Sequence, residues 1–284
     1  MTYKLTTNTL YTFICFLTLT LTSQNSIAGK IFDNIQSKSR IIACADPYNW
    51  PLSSSSDYPK GVDIDLAEKI AHSADLSLDI YWADTGTRGG LGKALRNSIS
   101  KGRCHFFLGI GMDTKGEAAD ELAEKDLVFT IPYTALAYVP VVNNSLPNVN
   151  SLKEILDSDQ KIGVTMATLA DGYFIYNNSG KYKDRRELFL KNRQITDALA
   201  KKQINAALVW SSGIPKALRK HKDANLRIIS FDPPEELMWN LGIAVPKEDE
   251  ELLNFLNKAI TELIDNGGMQ SIVQKYNMPY FPPM

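Results

Sequence analysis

The chain has 284 residues, with 31 lysines and arginines against 32 aspartates and glutamates, so its formal net charge is −1. Apolar residues make up 44% and charged residues 22%, an ordinary globular composition for one large α/β domain or two smaller ones. A near-neutral chain without a run of like charge excludes a polyanion binder, so no nucleic-acid partner is expected.

The first segment reads as an export signal. Lys4 supplies the positive start, Leu10 to Leu21 is a short apolar run, and Ser26-Ile27-Ala28 before Gly29 is a small-residue cleavage site. Such a segment is too short and too rich in threonine for a membrane anchor. Cys15 lies inside the apolar run rather than at the cleavage point, which argues against lipid attachment. Residues 1–28 are therefore expected to be a signal peptide, leaving a periplasmic protein with no membrane span.

Arg40 to Ala45 is an apolar strand ending in the polar loop Asp46-Pro-Tyr-Asn-Trp-Pro51. Apolar residues at 62, 66, 70, 71 and 74 mark an amphipathic helix over Val62 to Ala74. Leu76 to Trp82 alternates as a strand does. Leu91, Leu95 and Ile99 stripe another helix, stopped at Gly102, and His105 to Ile110 is a second buried strand. Strand, helix, strand, helix, strand implies a parallel sheet covered by helices. Tyr138 to Val142 then runs extended into the polar linker Asn143 to Asn150.

The pattern restarts with a strand at Lys161 to Thr165, a helix at Leu169 to Tyr176, a short strand at Glu187 to Leu190 and a helix at Thr196 to Lys202. Ala206 to Trp210 is a further strand, followed by a helix through Leu218 and an extended piece at Leu226 to Ser230. Trp239 to Val245 is extended again. Leu252, Leu256, Ile260 and Leu263 stripe a helix stopped at Gly267-Gly268, Met269 to Tyr276 adds a turn or two, and Pro279, Pro282 and Pro283 hold an extended tail.

Two α/β lobes follow, joined by two parallel extended crossovers. Lobe 1 is residues 29–139 with 243–284, and lobe 2 is 140–242. The cleft is expected at the strand ends, with the crossovers as a hinge.

Two cysteines survive processing. Cys44 and Cys104 could form a disulfide in an oxidising compartment or stay as two buried thiols, and composition does not choose between them. His72, His105 and His221 are scattered and form no metal site. No metal and no cofactor is expected.

Gly61-Val-Asp-Ile-Asp-Leu-Ala-Glu-Lys-Ile70, Phe129-Thr-Ile-Pro-Tyr133, Leu241-Gly-Ile-Ala-Val-Pro-Lys247 and the closing helices over Ile260 to Tyr276 resemble the periplasmic solute-binding proteins of the amino-acid-receptor type, family 3 with type 2 lobes. The resemblance covers nearly all of the mature chain. Cys44-Ala-Asp-Pro47, Trp50-Pro51, Thr87-Arg88-Gly89, Lys101-Gly-Arg-Cys104 and Ala206-Ala-Leu-Val-Trp210 are similar, more narrowly, to the J proteins of methanol-oxidation gene clusters (MxaJ and its lanthanide-associated counterpart, XoxJ). That group is associated with the pyrroloquinoline quinone-dependent methanol dehydrogenase.

The first resemblance implies two ionic clamps on an amino acid. An arginine in a Thr-x-x-Arg stretch would grip the carboxylate bidentately at a helix start. Here Asp113-Thr114-Lys115-Gly116-Glu117 occupies that place, and Lys115 lacks the planar fork. An aspartate after the second-lobe strand would hold the amine, and here the strand ends in Val209-Trp210-Ser211. Losing one partner of a buried charged contact costs about 2–5 kcal/mol, so tight binding of ordinary α-amino acids is not expected.

An aromatic rim of Tyr48, Trp50, Tyr133, Trp210 and Trp239 remains, and each could instead be packing residue. Arg88, among Gly86, Gly89 and Gly90, is either an anion contact or a solvated side chain. Thr168 completes the cleft candidates. Asp46, Asp113 and Asp171 are the carboxylates at loop or helix-start positions, where aspartate usually caps or turns. No Ser-His-Asp, Cys-His or His-metal grouping is present, so catalysis is not expected. The resemblance thus implies a non-catalytic accessory of methanol dehydrogenase, monomeric by itself. The alternative is the substrate-binding component of an ABC-type importer for a small solute other than a standard amino acid.

Overall fold

The stripe of Val62, Leu66 and Ile70 makes the amphipathic helix that its spacing predicts, with all three residues buried. In the computed structural model, which describes residues 30–112 and 117–284, this helix belongs to the first of two α/β lobes. Residues 1–28, read from the sequence as a signal peptide, lie outside the described residues.

The first lobe runs α1 (Lys30–Lys38), β1 (Arg40–Ala45), a hairpin of β2 (Tyr48–Asn49) and β3 (Ser53–Ser54), α2 (Val62–Ser73), β4 (Ser77–Trp82), α3 (Gly90–Asn97), β5 (Phe106–Gly111), α4 (Glu117–Ala123) and β6 (Leu127–Phe129). The chain crosses on β7 (Thr134–Val142). The second lobe holds α5 (Leu152–Asp157), β8 (Ile162–Thr165), α6 (Leu169–Tyr176), β9 (Arg186–Phe189), α7 (Asn192–Ala200), β10 (Ala206–Trp210), α8 (Ile214–Lys220) and β11 (Arg227–Ile228). It returns on β12 (Met238–Pro246) and closes the first lobe with α9 (Glu250–Asp265) and α10 (Gly268–Lys275).

Among the described residues eight strands join into one path, β4-β1-β5-β12-β7-β10-β8-β9, with β6 on β12 and β11 on β7 beside it and β2-β3 as a separate hairpin. β1 pairs in parallel with β4 and β5, and β8 pairs in parallel with β10 and β9. The crossovers correct the sequence reading: β7 and β12 pair antiparallel, Ala137 facing Met238 and Thr134 facing Leu241. One chain leaves the first lobe where the other returns to it, so the two must run in opposite directions.

Each lobe buries apolar side chains on both faces of its sheet, as parallel strands require. In the first lobe Ile41, Phe106, Leu108 and Ile243 pack under α2, α9 and α10 through Leu66, Ile70, Leu256 and Ile260. The opposite face holds Phe107, Leu95, Leu122 and the Cys44–Cys104 disulfide, which links β1 to the segment entering β5. The thiol alternative is thereby closed. In the second lobe Ile155, Val164, Phe174 and Leu208 cover one face, and Ile195, Leu199, Val209 and Ile214 the other.

Some boundaries differ from the sequence reading. The helix expected from Thr196 begins at Asn192, because Gln194 takes the backbone N–H groups of Leu190 and Lys191 and so extends the turn backwards. The sequence reading did not include α1, α4 and α5, and α4 and α5, at seven and six residues, carry too few turns for a periodic stripe. The proline-rich tail is extended, and Phe281 bridges to Ala135 on β7.

Gly61 caps α2 with φ +135°, and a Cβ there would lie 2.2 Å from the carbonyl oxygen of Leu52. Its N–H donates to the Tyr276 hydroxyl at 2.9 Å, tying α2 to the end of α10. Gly61→Ala combines a backbone clash with a forbidden φ, so we expect a loss of at least about 3 kcal/mol. A urea midpoint equal to wild type would contradict this.

Candidate functional site

The C-terminal ends of the parallel strands in both lobes face one interlobe region, where α/β sheets place ligands. Three concavities lie there. A small one of about 160 Å³ sits in the first lobe among Asp46, Asp63, Thr85 and the end of β5. A cavity of about 880 Å³ is formed mainly by the second lobe. A third, of about 500 Å³, has walls from both lobes, Asn49 and Trp50 on one side and Asn192 to Lys220 on the other.

The 880 Å³ cavity is aromatic. Tyr138, Tyr173, Tyr176, Trp210 and Trp239 line it with Thr165, Ala167, Thr168, Leu169, Gly172, Asn177, Asn192 and Glu236. Trp210 ends β10 and stands opposite Tyr138 on β7, with ring centroids 4.9 Å apart and planes tilted by 50°. Cross-strand aromatic pairs of this kind hold each other in place. Burial raises the Tyr138 phenol, partly offset by a hydrogen bond with Thr168. The Thr168 hydroxyl donates to the Thr165 carbonyl at 2.7 Å instead of capping α6. The Thr165 hydroxyl, buried on the cavity wall, has no hydrogen-bond partner among the described residues.

Two of the three carboxylates of the sequence reading, Asp46 and Asp171, are occupied. Asp46 accepts the Tyr48 N–H at 2.7 Å through one oxygen and the Thr85 N–H at 2.8 Å through the other, with the Thr85 hydroxyl as a third donor. It staples the loop after β1 to the loop after β4. Asp171 accepts the Ala167 N–H at 2.9 Å and pairs with Arg186, fixing the turn before α6. Both are structural, as aspartate at such positions usually is. Asp113, Thr114 and Lys115 lie outside the described residues.

The rim candidates separate. Trp210, Trp239 and Thr168 line the large cavity. Trp239 is 37% exposed, its indole lying over Gly111. Tyr48 is 70% exposed on the β2–β3 hairpin. Trp50 is only 7% exposed, donates to the Pro59 carbonyl at 3.3 Å, and lines the 500 Å³ gap rather than the aromatic cavity. Arg88 is exposed in the turn before α3.

Tyr133 must be removed from the rim. It is fully buried, and its hydroxyl donates to Asp63 Oδ1 at 2.6 Å. That bond lets a phenol enter the core. Burial pushes Asp63 up to about 7, against the opposing pull of the Tyr133 hydrogen bond. Burial, and then the Asp63 charge, raise Tyr133 well above the usual phenol range. Gly109, with φ +74°, leaves room for the carboxyl: a Cβ there would lie 2.4 Å from Asp63 Oδ2.

Tyr138, Tyr173, Tyr176 and Glu236 were not legible as site residues by motif. Their signals were the three-residue spacing of Tyr173 and Tyr176 on α6, and the pairing of Tyr138 with Trp210. The lobes also touch directly: the Arg219 guanidinium on α8 sits 3.8 Å from the Trp50 ring centroid and 3.2 Å from Asp57. Among the described residues no three His, Cys, Asp or Glu side chains group as metal ligands, and no helix is long and apolar enough to cross a membrane.

This architecture is shared with solved structures of low sequence identity. The second substrate-binding domain of Lactococcus lactis GlnP, in an open conformation, has a TM-score of 0.65 at 20% identity, covering 84% of this chain and 95% of that one. The unliganded, open L-cystine solute receptor of Neisseria gonorrhoeae has a TM-score of 0.62 at 17% identity, covering 87% and 97%. An ancestral cyclohexadienyl dehydratase has a TM-score of 0.63 at 18% identity, covering 88% and 97%. At these identities the likeness establishes the fold and leaves the ligand open. No curated protein matches the chain in sequence. The profile of bacterial extracellular solute-binding proteins, family 3, matches residues 41–279, so the chain belongs to that family.

Proposed function

We propose that this family member is a non-catalytic periplasmic accessory of methanol oxidation, assisting assembly or activation of a pyrroloquinoline quinone-dependent methanol dehydrogenase. The observation that carries the reading is the end of β10. Trp210 closes β10 and packs tilted on Tyr138, and by the resemblance an amino-acid receptor of this family has an amine-binding aspartate at this point. A second lobe walled by rings cannot repay the desolvation of a zwitterion, which is suited by fixed charges. The short motifs shared with the J proteins, including both bonded cysteines, supply the partner. A disulfide also fits an oxidising compartment. Asp46 and Asp171, the described carboxylates that the sequence singles out at loop and helix-start positions, are engaged in loop structure. The lobes are taken as residues 29–139 with 243–284 and 140–242, and the protein as a monomer when alone.

Deleting the gene is expected to abolish or strongly slow growth on methanol while leaving growth on a multicarbon substrate intact, and the dehydrogenase is expected to co-purify with the tagged protein. Normal growth on methanol after deletion would overturn the reading.

The size of the aromatic cavity, about 880 Å³, favours a second reading, an import receptor for a solute that is not a standard amino acid. Thermal-shift screening separates the two. A ligand at a hundred times its dissociation constant adds about 2.7 kcal/mol of stability. A shift with one small solute other than a planar aromatic carboxylate favours import, and silence across a broad panel of such solutes favours the accessory role.

A further inference from the structure

The 500 Å³ gap between the lobes differs chemically from the aromatic cavity beside it. Its walls include two indoles, Trp50 from the first lobe and Trp210 from the second. Each indole is braced by a different neighbour. Arg219 stacks on Trp50 at 3.8 Å, and Tyr138 packs on Trp210 at 4.9 Å. Trp50 is further held by its bond to the Pro59 carbonyl. The rings are thus fixed surfaces before any guest arrives, which lowers the cost of binding one.

The charges in this gap have one sign. Arg193, Lys216 and Lys220 line it, and no carboxylate does. Lys220 is committed to Asp197 at 2.6 Å, outside the lining. Arg193 and Lys216 have no ion-pair partner among the described residues, in a chain whose charges otherwise balance. Two unneutralised cations beside two braced indoles recognise a particular chemistry. Indole faces select a flat ring system, and a guanidinium and an ammonium select its anionic substituents. A volume near 500 Å³ suits a guest of two or three fused rings.

We propose that the gap between Trp50 and Trp210 is a binding site for a planar aromatic carboxylate, with Arg193 and Lys216 as its anion contacts. The site stands on these residues alone. It rests on the methanol-oxidation reading only for one probe, pyrroloquinoline quinone, a flat tricarboxylate that such a partner would use.

Isothermal titration calorimetry of the mature protein tests the site with three probes: pyrroloquinoline quinone, naphthalene-2,6-dicarboxylate and uncharged naphthalene-2,6-dimethanol. We expect 1:1 binding of at least one of the two anions, weakened severalfold by added salt, and no measurable binding of the diol. Arg193→Gln with Lys216→Gln should weaken that anion at least tenfold, and so should Trp210→Ala. Lys258→Gln on the remote α9 should not. The side chains of Arg193, Lys216 and Lys258 are exposed, so these glutamine variants fold, and unchanged melting checks it. Silence with both anions, equal binding of the diol, or binding indifferent to the double glutamine variant would overturn the site. Silence here beside a methanol growth defect would remove the site and leave the accessory role. Anion binding beside normal growth on methanol would do the reverse.

Discussion

Replacing both cysteines by alanine is expected to cost the folded protein about 4 kcal/mol. Cys44 and Cys104 close a loop of 60 residues between β1 and the entry to β5. In the chain-entropy description, a cross-link over a loop of that length removes about 4 kcal/mol of freedom from the unfolded chain. Both residues are buried in the apolar cluster of Leu95, Phe107 and Leu122. Alanine is therefore the appropriate replacement, because serine would add two buried hydroxyls in need of partners. For a chain of this size the melting temperature should fall by roughly 10 °C. Reductant should lower the wild-type melting temperature towards that of the double variant and leave the variant unchanged. Two free thiols in the denatured, unreduced wild-type protein would show that the cross-link does not form, and the expected loss would vanish with it.

The disulfide also marks the boundary of what the sequence could reveal. Strand and helix stripes are local, and they predict α6 and β10 with their observed ends and α2 to within a residue. Ser151-x-x-Glu154 likewise carries the signature of a capping box. Ser151 Oγ accepts the Glu154 N–H at 3.2 Å, a local cap signal that the sequence reading did not use, and α5 is too short to show a stripe. Contacts between distant segments leave no such mark. The pairing of Cys44 with Cys104 needs β1 beside β5, and the stacking of Arg219 on Trp50 joins residues of different lobes. Tyr133 illustrates the same limit. An aromatic residue after a proline fits a cleft rim or a core equally well, and its burial depends on Asp63, 70 residues away. Trp210, which the resemblance sets where a receptor would have an acid, was a cleft candidate from the sequence and does line the cavity. The residues that complete its wall were not, because Tyr138, Tyr173 and Glu236 meet only once the second lobe closes on β7 and β12.

Asp63 carries the largest expected dependence of stability on pH. It is 1% exposed, and its folded value lies near 7 against an ordinary value of 3.8. A carboxyl raised in the folded state binds its proton more tightly there than in the unfolded chain. Below about pH 4 both states are protonated and the full contribution is present. Between about pH 4 and about pH 7 the unfolded state releases the proton while the folded state keeps it, so stability falls as pH rises. Above the folded value the contribution is gone, a total of roughly 4 kcal/mol. His105 acts in the opposite sense. Burial first, and then the charges of Lys38 and Arg40, lower its value, and its ring nitrogen accepts the Ile42 N–H at 3.0 Å. Wild-type stability alone would therefore mix two slopes. Subtracting the profile of Asp63→Asn isolates the carboxyl, because asparagine keeps an oxygen for the Tyr133 hydroxyl and has no proton to lose. Urea midpoints should show the variant gaining on wild type as pH rises from about 4.5 to about 8, by up to roughly 4 kcal/mol. A constant offset from the unpaired amide N–H₂ would not alter that slope. Parallel profiles would mean that the carboxyl is ionised in the folded state at neutral pH, and that Tyr133 and Gly109 stabilise a buried anion.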